Sequence, residues 1–152
     1  MILITGATGN IGTELVKRLV SKRTPIRVIT RDEKKIAHLE PEVGRVIGDR
    51  HEPSVVQRAV QDVEKVFVLS GPFDIDHEAD RLLMNEAKNA GVRQIVLISS
   101  SNVHLAGKNS VGVFHREKRN ARGKIRYPMD FFATRRVYVQ CFAMGQYHQV
   151  TR

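Results

Sequence analysis

The sequence predicts an α/β fold, a doubly wound parallel sheet that is truncated after about five strands. Two observations lead to this prediction: short apolar runs alternate with amphipathic stretches, and a glycine-rich turn follows the first run. Apolar strands that alternate with helices are typical of parallel sheets covered on both faces. At 152 residues, the chain has the length of a single domain.

The predicted strands are short runs rich in valine, isoleucine and leucine, which favour the extended conformation. Because right-handed crossovers join parallel strands, we expect the sheet order 3-2-1-4-5, with the first strand in the centre. The five predicted strands are Met1–Thr5, Ile26–Thr30, Arg45–Ile47, Lys65–Leu69 and Gln94–Ser99.

Amphipathic stretches between these strands predict the helices. In Ile11–Ser21, apolar residues recur every three or four positions, and charged residues occupy the opposite face. Pro53–Val60 and Glu78–Ala90 repeat the pattern, and Gly91 suits a left-handed C-cap after the last of them. The interval between the second and third strands also has room for a helix.

The most specific motif is the glycine turn, residues 5–12, which reads TGATGNIG. Glycine removes the β-carbons that would block a tight turn and a close backbone approach to a pyrophosphate, while the following helix start offers free N–H groups to the anion. The spacing is G-x-x-G-x-x-G, between an apolar strand and an amphipathic helix, which is the context that the motif requires. The turn predicts a dinucleotide site on a Rossmann-type domain. Its candidate binding residues are Gly6, Thr8, Gly9, Asn10, Ile11 and Gly12.

The end of the second strand indicates which dinucleotide is bound. An acidic residue there hydrogen-bonds the ribose of NAD, whereas an arginine accommodates the 2′-phosphate of NADP. Arg31 follows this strand, with Lys34 and Lys35 just beyond it. These charges predict NADP, with NAD as the alternative, because Asp32 could instead point towards the ribose.

The formal net charge of +9 is concentrated in the last quarter of the chain. Residues 1–118 contain 18 Lys and Arg against 15 Asp and Glu, whereas residues 119–152 contain seven against one. In the first part, acidic and basic residues alternate along predicted helix surfaces, which is typical of solvated faces rather than of a nucleic-acid-binding surface. We therefore expect no nucleic-acid partner.

The first residues and the cysteine content indicate a compartment. Met1 leads directly into an apolar strand, without the basic region and long apolar run of a signal peptide or membrane span. Cys141 is the only cysteine, so an intramolecular disulfide is excluded. These features predict a cytoplasmic protein with no membrane partner and no metal site.

Several ordered segments resemble the NmrA-like, quinone-reductase-like branch of the atypical short-chain dehydrogenase/reductases. Besides the glycine turn, they are VITRD, IGD, VFVLSGP, GVRQIVLISS and FHREK, and they extend over residues 1–118. The resemblance implies that Asp49 and Arg50 lie near the adenine and that Ser70 and Gly71 lie near the nicotinamide ribose. It also implies that Lys118 hydrogen-bonds that ribose.

One position departs from the enzymatic pattern of related reductases. They use a Tyr-x-x-x-Lys pair in which the tyrosine donates a proton to a carbonyl oxygen. This chain has Phe114-x-x-x-Lys118, and phenylalanine has no proton to give. His104 or His115 could replace the acid, but the catalytic residues stay unknown, and whether the chain is an enzyme is open.

Two functions of different class remain. In the first, the protein is an oxidoreductase that passes hydride from NADPH to a quinone or a similar small-molecule acceptor, with the cofactor supplying the chemistry. In the second, it is a non-catalytic redox sensor that binds NADP(H) and changes its affinity for a partner. A homodimer stays open for both.

Residues 119–152 form a basic tail in which the resemblance stops and no clear period is visible. If one nucleotide is dropped at the start of the Arg119 codon, Met129-Asp130 and Met144-Gly145 each yield a tryptophan codon, and the rest permits a WTFLRPGGFM segment typical of this family. We therefore expect a frameshifted tail that replaces the last strand and a substrate domain. The missing sixth strand would leave an exposed edge beside the fifth.

Overall fold

The computed structural model describes residues 1–69, 78–99, 129–133 and 138–143. Seven strands form one sheet in the order β3-β2-β1-β4-β5-β7-β6. The strands are β1 (Ile2–Ile4), β2 (Ile26–Thr30), β3 (Gly44–Ile47), β4 (Lys65–Val68), β5 (Gln94–Ser99), β6 (Met129–Ala133) and β7 (Tyr138–Ala143).

The first five strands are parallel, and they have the predicted order 3-2-1-4-5. In the centre of the sheet, Ile4 of β1 lies opposite Val28 of β2 on one side and Phe67 of β4 on the other. The carboxyl ends of β1, β2 and β3 therefore lie along one edge of the sheet, which is where α/β proteins of this kind bind ligands.

Helices cover both faces of the parallel part, as expected for a doubly wound sheet. They are α1 (Asn10–Ser21), α2 (Pro53–Val60) and α3 (Glu78–Asn89), and a short 3₁₀ helix (Glu33–Ile36) connects β2 to β3. No helix in the described ranges is both long and apolar enough to cross a membrane.

Two apolar cores lie on opposite faces of the sheet. Leu3 belongs to the core shared with α2 and α3, whereas its neighbour Ile4 belongs to the core shared with α1 and the 3₁₀ helix. The two residues separate because successive side chains of a strand point to opposite faces. Both are completely buried, which places β1 in the interior of the domain.

The tail supplies two strands that the sequence did not predict. β7 pairs antiparallel with β5 from Gln94–Ala143 to Ser99–Tyr138, and β6 pairs antiparallel with β7. The expectation of an exposed edge beside β5 is therefore wrong. Both segments contain aromatic and other strand-forming residues. Apolar and polar residues do not alternate regularly in them, so the sequence pattern did not predict strands there.

Candidate functional site

A cleft of about 440 Å³ lies at the carboxyl ends of β1, β2 and β3. We call it the carboxyl-edge cleft. It brings together six of the residues predicted from the sequence: Gly6, Thr8, Arg31, Lys35, Asp49 and Arg50. Five further residues complete its lining: Ile29, Thr30, Asp32, Gly48 and His51.

Two glycines of the glycine turn are required by the fold itself. Gly6 has a φ of +64°, and a β-carbon there would lie 2.7 Å from the β-carbon of Leu69. A β-carbon on Gly12 would collide with the carbonyl oxygen of Gly6. Glycine at these two positions therefore lets α1 begin in close contact with the turn.

Gly9 differs from both. Its φ of −86° is accessible to any residue, and a β-carbon there would make an ordinary contact of 3.5 Å with the Gly6 carbonyl oxygen. The fold therefore has no evident need for glycine at this position. A close approach of a ligand to the backbone would explain it.

The start of α1 carries unpaired backbone donors. The Gly9 amide donates to the Gly6 carbonyl and the Thr13 amide donates to the Gly9 carbonyl. Among the described residues, no acceptor is found for the three amides between them, those of Asn10, Ile11 and Gly12. Gly9 provides no side-chain cap, and the first turn contains no acidic residue. This helix start is therefore suited to an anion.

A cationic group lies at the β2 end of the cleft. The Arg31 side chain is 77% exposed, and its Nη1 is 3.7 Å from Oδ2 of Asp49. Lys35 is also largely exposed, with its Nζ 4.0 Å from Oδ2 of Asp32. Both side chains are accessible to an anion that enters the cleft.

Asp32, whose direction the sequence left open, has a partner on the backbone. Its Oδ1 accepts a hydrogen bond of 3.0 Å from the amide of Lys34, so the carboxylate caps the 3₁₀ helix. The Asp32 amide in turn donates to the hydroxyl of Thr30 at 3.2 Å. The carboxylate is thus directed to the backbone that follows it, although Asp32 still lines the cleft.

A turn after β3 forms the opposite wall of the cleft. Gly48 enters it with a φ of +153°, and its amide donates to the carbonyl of Thr30. Oδ1 of Asp49 accepts from the amide of His51 at 2.9 Å and lies 2.7 Å from His51 Nδ1. These two hydrogen bonds from His51, with a smaller effect of the Arg31 charge, hold the pKa of Asp49 below its ordinary value. Asp49 is therefore anionic at neutral pH.

Arg50 lines the cleft, and its guanidinium contacts a carboxylate on α3. Its Nη1 lies 3.2 Å from Oδ1 of Asp80 on α3, and the Asp80 side chain is only 3% exposed. Sequence reasoning did not single out Asp80 because nothing local distinguishes it from the other acidic residues at the start of that helix.

Thr5 is a further residue that the site predictions did not single out. It is completely buried at the end of β1, and its hydroxyl donates to the carbonyl of Leu69 and accepts from the Leu69 amide, both at 2.9 Å. Thr5 does not itself line the cleft, whereas Gly48 and His51 line it without having been predicted. The signals in the sequence were weak: Gly48 directly follows β3, and His51 lies two residues before the first residue of α2.

Three predicted cofactor residues, Ser70, Gly71 and Lys118, lie outside the described residues, as does Phe114. The proposed contacts near the nicotinamide ribose therefore stay predictions. Within the described residues, no group of three or more His, Cys, Asp and Glu side chains is arranged to hold a metal ion.

Solved structures share the fold over most of this chain. An NADPH-dependent quinone oxidoreductase from Escherichia coli, complexed with NADPH, is 27% identical with a TM-score of 0.68, over 82% of this chain and 45% of its own. A triphenylmethane reductase from Citrobacter sp., complexed with NADP(H), is 26% identical with a TM-score of 0.68, over 80% and 44%.

Curated proteins match a shorter part. The NAD(P)H azoreductase of Xenophilus azovorans is 35% identical over 98 residues, and sterol demethylase protein B of Methylococcus capsulatus is 33% identical over 110 residues. Each match covers 64% of this chain and 34% of the relative. The chain thus spans about a third of the length of these relatives.

The sequence profile described as NAD(P)H-binding matches residues 6–126, which include all but the first residue of the glycine turn and every lining residue of the carboxyl-edge cleft. The resemblance to NmrA-like, atypical short-chain dehydrogenase/reductases is confirmed by this match together with the reductase structures. The chain belongs to the NAD(P)H-binding family.

Proposed function

We propose that residues 1–118 bind NADPH and form the cofactor-binding part of a reductase that passes hydride to a quinone or a similar conjugated acceptor. The observation that carries the proposal is the pairing of two anion sites in one region. The first site is the start of α1, where the glycine turn ends and the amides have no acceptor among the described residues. The second site is the pair of cations, Arg31 and Lys35, at the β2 end of the cleft.

The residues present fit a dinucleotide phosphate. Gly9 leaves space where the fold does not require it, so a pyrophosphate can approach the backbone. Arg31 and Lys35 offer charge to a 2′-phosphate. Asp49, held anionic by its contacts with His51, offers an acceptor to an adenine amino group.

The position of Asp32 favours NADP over NAD. An acidic residue selects NAD when its carboxylate accepts from the ribose hydroxyls. In Asp32, Oδ1 accepts from the Lys34 amide and Oδ2 lies 4.0 Å from Lys35 Nζ, so both oxygens have partners that compete with a ribose. Arg31, by contrast, is largely exposed and has only a long ion pair with Asp49. The charge balance at this end of the cleft therefore suits a phosphate better than a bare ribose.

The bound cofactor would supply the hydride. The described residues would hold the dinucleotide in place through contacts with its phosphates and its adenosine. Phe114 stands where related reductases have the tyrosine that donates a proton. A quinone-like acceptor does not need this donor, because the conjugated anion that forms after hydride transfer can take its proton from water. The relatives named for quinone, azo and triphenylmethane reduction also act on conjugated molecules. They favour an oxidoreductase over the non-catalytic sensor.

Calorimetric titration of the 152-residue chain with NADPH and with NADH tests the cofactor proposal. We expect NADPH to bind at least about tenfold more tightly, since an ion-paired phosphate contributes on the order of 1.5–3 kcal/mol. Equal affinities would refute the proposed role of Arg31, and no binding of either would refute the function. NADPH oxidation with a panel of quinones and azo dyes then separates the reductase from the sensor.

A further inference from the structure

Asp80 is the one charged residue that is buried within residues 1–69 and 78–98. Its carboxylate, near the start of α3, pairs with the Arg50 guanidinium, which is itself 20% exposed. The contact joins two segments that are 30 residues apart in the chain. A buried ion pair is costly to desolvate, so its presence calls for an explanation other than stability alone.

The turn that contains Arg50 also contains the residues that face the cleft. The Glu52 amide donates to the Asp49 carbonyl, and the His51 amide donates to the Asp49 carboxylate, so residues 49–52 form one hydrogen-bonded unit. Arg50, Asp49 and His51 all line the cleft, and the Arg50 guanidinium also reaches Asp80 on α3. The ion pair therefore connects the wall of the cleft to a helix outside it.

The helix at the other end of the contact is firmly packed. Leu83 and Met84, one turn after Asp80, are buried in the core that also contains Val55 and Val56 of α2. Because α2 directly follows the turn, the turn is held at its carboxyl end by α2 and through Arg50 by α3. Contacts of this kind hold a binding residue in the position that ligand recognition requires.

We propose that Arg50 is a positioning residue for the adenosine half of the cofactor and acts through Asp80, not through direct contact with the ligand. The ion pair fixes the turn so that Asp49 stands ready to accept a hydrogen bond from the adenine. This inference rests on the proposed function. It assigns Arg50 a different role from a direct adenine contact.

The test compares Arg50→Gln, Asp80→Asn and the double variant with the unaltered chain. Calorimetry with 2′-phosphoadenosine 5′-phosphate, which contains only the adenosine half, reports on the proposed step. All titrations are made at a temperature where circular dichroism shows each variant to be folded. Glu64→Gln with Arg93→Gln is the matched control. These two residues also form an ion pair, with 2.7 Å between Arg93 Nη2 and Glu64 Oε2, but the pair is exposed and lies at the amino ends of β4 and β5.

We expect each single variant to bind the fragment about tenfold more weakly, as for a lost charged hydrogen bond. The double variant should lose no more than either single one, because both act through the same contact, and Arg50→Lys should recover part of the affinity. If Asp80→Asn does not fold, the double variant, in which neither side chain of this pair keeps its charge, provides the comparison. The control pair should bind normally.

Two results would overturn the proposal. Normal fragment affinity with a lowered melting temperature would show that the ion pair only stabilises the fold. Weaker binding by Arg50→Gln, with normal binding by Asp80→Asn, would show that Arg50 contacts the ligand itself. Failure of the unaltered chain to bind either the fragment or NADPH would instead refute the proposed function, so the two failures are distinguishable.

Discussion

The guanidinium of Arg31 lies 3.7 Å from the carboxylate of Asp49, so the residues that follow β2 and β3 meet across the carboxyl-edge cleft. The pair is mostly exposed, and such pairs contribute little to stability. Its importance is geometric. It keeps the Arg31 cation close to the carboxylate that we assign to the adenine.

The first prediction concerns Arg31. Arg31→Ala should weaken NADPH binding about tenfold or more and leave NADH binding nearly unchanged, because only NADPH carries the 2′-phosphate. Competitive titration of both cofactors measures the ratio. Lys22→Ala, an exposed substitution at the far end of α1, is the control. Equal losses for both cofactors would show that Arg31 is not the phosphate ligand.

The second prediction separates the glycines of the turn. Gly9→Val should abolish NADPH binding, because a branched side chain would occupy the path of the pyrophosphate. Its unfolding free energy should fall by only about 1 kcal/mol, the cost of a poor N-cap. Gly12→Ala should instead destabilise the fold, since its β-carbon would overlap Gly6. Retained affinity in Gly9→Val would mean that this glycine has no role in binding.

The third prediction concerns Thr5. Thr5→Val keeps the size of the side chain but leaves the partly buried amide and carbonyl of Leu69 without the hydroxyl that now pairs with both. We expect a loss of about 1–3 kcal/mol in the free energy of unfolding, measured with urea. Ser21→Ala, which removes an exposed hydrogen bond, should change it by less than about 0.5 kcal/mol. Similar small losses in both would argue against the role of Thr5.

The fourth prediction follows from the lowered pKa of Asp49. A carboxylate whose pKa is lower in the folded state stabilises the fold above its ordinary pKa of 3.8, and this contribution is lost as pH falls through the lowered value. Urea unfolding from pH 7 to pH 2 should therefore show an acid-dependent loss that is smaller in Asp49→Asn. Glu64, whose pKa is lowered by Arg93, contributes the same pH dependence to the unaltered chain and to Asp49→Asn. Identical pH profiles would refute the assignment.

The fifth prediction concerns residues 119–152. The coding DNA should contain a single-nucleotide shift at the Arg119 codon, and the 152-residue chain should bind NADPH but scarcely reduce quinones. Positioning two reactants can lower a barrier by roughly 7–11 kcal/mol, and we expect a frameshifted tail to lack the groups that would position an acceptor. The frame-corrected, extended chain should regain turnover. Full activity of the 152-residue chain would show that its tail is a working C-terminus.

The sequence predicted those features of the site that depend on local pattern. The glycine turn, the five parallel strands and the position of Arg31 all follow from residues close together in the chain. The partners of Thr5 and Arg50 do not, because they are 64 and 30 residues away and are brought near only by folding. The role of Asp32 is a middle case: an aspartate before Glu-Lys-Lys could have been recognised as a helix cap.

The open amides at the start of α1 form only when the chain is folded, so a cofactor that binds them stabilises the folded chain. A ligand that binds only the folded chain adds about 2.7 kcal/mol to its stability when present at 100 times its dissociation constant. The melting temperature of this protein should therefore rise and fall with the supply of dinucleotide. A cell short of the cofactor would hold a chain that unfolds more often and is more open to proteolysis.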